Sequence, residues 1–143
     1  MVARSQRLGV LRRVAEKRVE DAARGLAAAR TRLEGQRQQL QQLGDYRAEY
    51  AAQLTGRQLD AARLCELRAF LGRLTAAIDQ QAAQITSAEA EFLHARTRWL
   101  ALRGREQALG KVVERARGEE FQADGRREQV ESDARGSRRG AGG

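Results

Sequence analysis

Apolar residues recur in the second half of the chain at alternating steps of three and four. Leu64, Leu67, Leu71, Leu74, Ile78, Gln81, Ile85, Ala88, Phe92, Ala95, Trp99, Leu102, Glu106, Leu109, Val113 and Ala116 occupy these steps, and 14 of the 16 are apolar. The first half repeats the pattern at Ala15, Val19, Ala22, Leu26, Ala29, Leu33, Gln36, Leu40, Leu43, Arg47, Tyr50 and Leu54, with 10 of 12 apolar and Gln36 and Arg47 as exceptions. A mean step of 3.5 residues marks helices that supercoil left-handedly about a shared seam, and it leaves no room for the two-residue alternation of strands.

Between the two segments lies Thr55-Gly56-Arg57-Gln58-Leu59-Asp60. Gly56 can adopt the left-handed backbone that ends a helix, and Asp60 can accept the first amides of the next. So short a connection folds the second helix back along the first. The expected fold is therefore all-α, a long two-helix antiparallel coiled-coil hairpin over residues 1–124, with arms of about 5–55 and 60–124. At 1.5 Å per residue an arm of this kind spans about 70 Å, giving a rod. Two registers fit. If paired residue numbers add to 121, Ala29 meets Phe92 and Ala22 meets Trp99; if they add to 114, Phe92 falls on Ala22 and Trp99 on Ala15. Each sets large residues against small ones, and the pattern does not choose between them. In both, α-helical residues after about Ala116 run out of a partner arm.

Residues 125–143 hold five arginines, three acids, five glycines and one valine. They bury too little apolar area to offset the entropy of ordering, so a disordered C-terminal tail is expected.

Composition narrows the function. The chain has no proline, only six aromatic residues, 32% charged and 41% hydrophobic residues. That supplies a seam and no thick layered core. No stretch has the uncharged apolar length of a membrane span or a secretory signal, which points to a soluble, cytoplasmic protein. Cys65 is the single cysteine and His94 the single histidine, so no intrachain disulfide and no multi-histidine metal site can form. No cofactor is expected, and no enzymatic activity. The segment Gly104–Lys111 has the wrong spacing for a phosphate loop and offers Val112 in place of a hydroxyl. His94 has no carboxylate or hydroxyl constellation, and Glu66 beside Cys65 disfavours a thiolate.

The net charge is +8, from 27 basic and 19 acidic residues, with Lys17 and Lys111 the only lysines. An excess of this sign invites polyanions or an acidic protein surface. Arginine is interleaved with glutamate along the whole chain, however, where a nucleic-acid binder gathers its cations on one face or tail. One other feature exceeds what a seam requires. Tyr46 and Phe70 fall at positions bordering the seam near the loop end, next to Tyr50 and Leu74 inside it, with Leu43 and Ala77 extending the same flank. Either the two bordering aromatics merely cover the seam, or the stripe is a partner site.

Several segments resemble the family of the flagellar export protein FliJ. They are residues 11–24, Leu-Arg-Arg-Val-Ala-Glu-Lys-Arg-Val-Glu-Asp-Ala-Ala-Arg, then Leu40, Leu43, Asp45-Tyr46-Arg47, Glu49-Tyr50, Phe70-Leu71, Arg73-Leu74, Ala77-Ile78, Gln81 and Trp99. The similarity runs from about residue 8 to 120, and Glu16-Lys17, Glu20-Asp21, Tyr46, Glu49 and Phe70 are not dictated by heptads. The resemblance implies a small non-catalytic, cytoplasmic component of the flagellar type III export apparatus, peripheral to the inner face of the cell membrane at the flagellar base. It implies as partners the export ATPase FliI with FliH, the cytoplasmic domain of the export-gate protein FlhA, and empty export chaperones, with a monomeric hairpin regulating energy coupling. The family's gate-binding surface, carried over by position, falls on Gln39, Leu43, Tyr46, Tyr50, Phe70, Leu74, Ala77 and Gln81. Gln81 stands where relatives can carry histidine, and the tail lies outside the resemblance. A cationic base of Arg4, Arg7, Arg12, Arg13, Lys17 and Arg18 would contact the ATPase ring. The rival readings are the matching stalk protein of an injectisome, a homodimeric structural coiled coil, and a basic nucleic-acid binder.

Overall fold

A computed structural model describes residues 3–56 and 58–141 of the chain. Its two helices are α1 (Arg4–Gly56), of 53 residues, and α2 (Ala61–Ala141), of 81. No strand occurs among the described residues. The chain forms two units, one of Met1–Asp21 with Leu100–Gly143 (the stem unit) and one of Ala22–Trp99 (the loop unit). In each, a stretch of α1 lies antiparallel against a stretch of α2.

The loop unit contains the connection. Asp60 caps α2 as its side chain suggests: Oδ1 accepts the Arg63 amide at 2.7 Å, and its carbonyl accepts the Leu64 amide at 3.0 Å. The other half of the expectation fails, because α1 stays helical through Gly56 and no described residue has a positive φ. Arg57 lies outside the described residues. Inward-facing positions follow the heptads closely. Ala29, Leu33 and Ala88 are buried, and Leu26, Leu40, Leu71, Ile78, Ile85 and Phe92 are half-buried. Arg47 departs from them and is exposed, since a guanidinium at a seam position keeps its hydration by swinging out.

The stem unit continues the seam with different chemistry. Val113 and Ala116 are buried and Val19, Leu102 and Leu109 half-buried. Beyond them the same spacing reaches Arg12, Leu8 and buried Ser5 on α1, and half-buried Glu106, Glu120 and Ala123 on α2. Packing thus extends past the limit near Ala116 that the heptads suggested, because polar residues carry on the seam where apolar ones stop.

Contacts within each unit fix the register. Arg37 meets Glu89 at 3.2 Å, Arg32 meets Glu91 at 3.8 Å, Gln36 bonds Gln81 and Tyr50 touches Phe70 in the loop unit. Arg12 meets Glu106 and Ser5 meets Glu120 in the stem unit. The numbers of these pairs add to between 117 and 126, on either side of 121. The 114 register would set the Gln81 amide across from Leu33 and the Arg12 guanidinium across from Leu102, leaving both without polar partners.

The expectation of disorder is not confirmed for residues 125–141. α2 continues to Ala141, although every residue from Asp124 to Gly140 is exposed. With no proline to interrupt it, this stretch is held by its own helical pairs. Gln129 donates to Asp133 at 3.0 Å, Arg135 meets Glu131 at 3.6 Å, and Arg138 and Arg139 stand at the negative end of the helix dipole. Gly142 and Gly143 lie outside the described residues.

Candidate functional site

In the loop unit, the aromatic flank grows out of an interruption in the seam. The register places half-buried Leu74 across from Arg47, which is exposed. Around this position Leu43, Tyr50, Phe70 and Ala77 are also half-buried and Tyr46 is 56% exposed. The Tyr50 and Phe70 rings meet edge to face, with centroids 4.7 Å apart and planes at 68°. Such a pair contributes about 1 kcal/mol beyond its area, and it fixes both rings in place. The Arg73 guanidinium lies 5.8 Å from the Phe70 ring centre. Its position three residues after Phe70 makes that cation–π contact readable from helical spacing. Toward the loop, Tyr50, Phe70 and Leu67 line one side of a hollow of about 330 Å³ whose other walls are Gln53, Leu59, Arg63 and Glu66. Those polar walls meet only once the register is known, which is why heptad reasoning does not find them.

Two of the eight gate-surface candidates have other surroundings. Gln39 is exposed. Gln81 is only 8% exposed, and its amide nitrogen donates to the Gln36 carbonyl at 3.1 Å and to the Gln36 side-chain oxygen. Gln81 is thus a polar layer of the seam with its donor engaged.

In the stem unit, Arg4, Arg7, Arg13, Lys17 and Arg18 are exposed. Arg12 differs from them. Its Nε lies 3.3 Å from Glu16 and 3.4 Å from Glu106, and its guanidinium passes 3.1 Å from where a side chain on Gly110 would begin. Gly110 is where a missing Cβ matters, since the space it leaves lets a long cation lie down in the seam. Glu106 sits 18% exposed beneath that cation. At the start of α1 a second carboxylate substitutes for an N-cap. Glu120 of α2 accepts the Ser5 hydroxyl at 2.6 Å and the Ser5 amide at 3.0 Å. These two donors, aided by the charges of Arg117 and Arg4, hold the Glu120 carboxyl below the usual carboxylate range. The sequence offered no apolar signal for this clasp.

The remaining chemistry-bearing side chains are not assembled. His94 and Cys65 are exposed, and among the described residues no group of three or more His, Cys, Asp or Glu side chains could hold a metal ion. No described helix is long and apolar enough to cross a membrane.

Paired heptad helices, with a partly exposed aromatic flank in one unit and exposed cations in the other, define a coiled-coil protein. The family model of the flagellar FliJ protein matches residues 4–141, so the chain belongs to that family and is a component of flagellar protein export. The match takes in the tail, which the resemblance drawn from individual residues had left out. No curated protein matches the chain.

Proposed function

We propose that the chain is the non-catalytic stalk and chaperone-escort component that links the export ATPase FliI, with FliH, to the cytoplasmic domain of the export-gate protein FlhA. It works at the inner face of the cell membrane at the flagellar base and regulates how ATP hydrolysis is coupled to export. The carrying observation is the aromatic flank of the loop unit together with the cationic start of α1, where residues 1–20 hold six cations against Glu16 and Glu20. Exposed Arg4, Arg7, Arg13, Lys17 and Arg18, with half-buried Arg12, are all in the stem unit, and the Tyr46, Tyr50 and Phe70 flank is in the loop unit. Exposed cations raise the rate at which an acidic or carbonyl-lined ring captures the stem, and they leave the contact reversible because water and salt screen them. Fixed aromatic rings beside half-buried aliphatics supply the anchors of a tighter, salt-insensitive contact. Gln39, Leu43, Tyr46, Tyr50, Phe70, Leu74 and Ala77 would form the gate surface, with Gln81 supporting it from the seam. Neither contact demands a reacting group on this chain. Copurification with FliI followed by measurement of its ATP hydrolysis tests the reading. An altered hydrolysis rate with the chain bound is expected, and no binding at any salt concentration would reject the reading.

A further inference from the structure

We propose that the stem unit carries a docking groove for an acidic amphipathic helix, one that presents aliphatic side chains between carboxylates. This rests on the reading that the stem engages the ATPase complex, and it specifies what that partner must bring.

Val10, Leu11 and Val14 are 51%, 54% and 48% exposed, three large aliphatic side chains within five residues of α1. Val14 follows Val10 by four and Leu11 by three, so they share one helix face. They stand outside the seam positions, and their contact with water contributes nothing to holding α1 on α2. Beside them α1 and α2 leave a groove of about 220 Å³, walled by Leu11, Val14, Leu102 and Leu109 with Arg18 and Arg105 at its rim. A groove between two paired helices is the shape that receives the apolar face of a third.

Charge decides which helix. Among the described residues Arg18 and Arg105 make no ion pair, while Glu16 and Glu106 are engaged by Arg12 and Glu120 by Ser5. On the other side of Val10, Arg7, Arg13 and Arg117 line a second hollow of about 420 Å³. The aliphatic stripe is therefore bordered by guanidinium groups, of which Arg18 and Arg105 make no ion pair among the described residues. A helix with carboxylates flanking its own aliphatic stripe would neutralise them, whereas a basic or uncharged one would bury them unpaired.

The test is binding of the full-length chain to FliI at low and high salt, with helicity followed by circular dichroism. Leu11→Asp with Val14→Asp is expected to weaken binding roughly tenfold or more, as is Arg18→Glu with Arg105→Glu. Arg18→Lys with Arg105→Lys should retain most of the affinity. The milder Leu11→Ala with Val14→Ala should weaken it equally at both salt concentrations, which guards against an aspartate variant that fails to fold. If the alanine and aspartate variants bind like the unaltered chain while substitutions at Arg4, Arg7, Arg13 and Lys17 weaken binding, the groove is overturned and the cationic stem stands. If the unaltered chain does not bind FliI, both readings fall. Cosedimentation with phosphatidylglycerol vesicles, lost in the groove variants while FliI binding persists, would assign the stripe to a lipid surface and overturn the helix.

Discussion

In the loop unit the inward positions are Leu, Ile, Ala, Phe, Tyr and Trp with one amide layer, Gln36 on Gln81. In the stem unit they come to include Arg12, Glu106, Ser5 and Glu120, while Val10, Leu11 and Val14 face water. The same two helices and the same heptads are thus held by a different mixture of contacts in each unit, although Val113 and Ala116 are buried in the stem unit and Arg37–Glu89 and Arg32–Glu91 pair across the loop unit. Apolar burial in the loop unit depends little on pH. Charged contacts in the stem unit are individually small and responsive to conditions, and they leave apolar surface available to a partner.

The largest expected effect lies in the loop unit. Leu33 is 5% exposed and packs in the layer with Ala88, so Leu33→Ala should cost about 3 kcal/mol in urea unfolding. Arg12→Ala in the stem unit should cost about 1 kcal/mol, because its ion pairs to Glu16 and Glu106 are partly exposed. Comparable losses would erase the contrast.

Next comes the amide layer. Gln81→Leu alone should cost about 1–2 kcal/mol by leaving Gln36 without its bond. Gln36→Leu with Gln81→Leu should restore most of that stability and lose the discrimination between registers. In a Cys65→Ser background, cysteine pairs at positions 26 and 95 report the 121 register and pairs at 26 and 88 the 114 register. Only the first should cross-link in the native sequence, and both once the two glutamines are gone.

Glycines sharpen the contrast at a smaller scale. Gly35→Ala meets open space in the loop unit and should raise stability by about 0.5–1 kcal/mol. Gly110→Ala should gain less, because its Cβ must displace the Arg12 guanidinium. Thermal melts of the two variants measure the difference.

The smallest effect is confined to the first turn of α1. Glu120 has a lowered folded pKa, so its clasp on Ser5 is fully present above the ordinary carboxylate pKa and is lost as pH falls through the lower folded value. Amide exchange at Ser5 should quicken over that acidic interval, and Glu120→Gln should abolish the pH dependence.

Most of the fold was legible because apolar periodicity states which face of a helix is inward. All sixteen positions read from Leu64 to Ala116 face inward, and so do eleven of the twelve read from Ala15 to Leu54, Arg47 being the exception. Register was not legible, since a repeat of seven looks the same after a slip of seven; polar pairs such as Gln36 with Gln81 break that symmetry only in three dimensions. Ser5, Glu120 and the seam position of Arg12 were not legible for the related reason that a polar seam has no hydrophobic signature. The aromatic flank was visible as positions bordering the seam. Its sharpest feature, the edge-to-face Tyr50–Phe70 pair, needed the register to appear.

The division of labour between the two units is tested most directly by one binding experiment on Tyr46→Ala with Phe70→Ala, titrated in parallel against the FlhA cytoplasmic domain and FliI. The account predicts that affinity for FlhA falls by at least tenfold, about 1.4 kcal/mol or more, with FliI binding and helicity unchanged. Undiminished FlhA affinity, or an equal loss toward both partners, would contradict it.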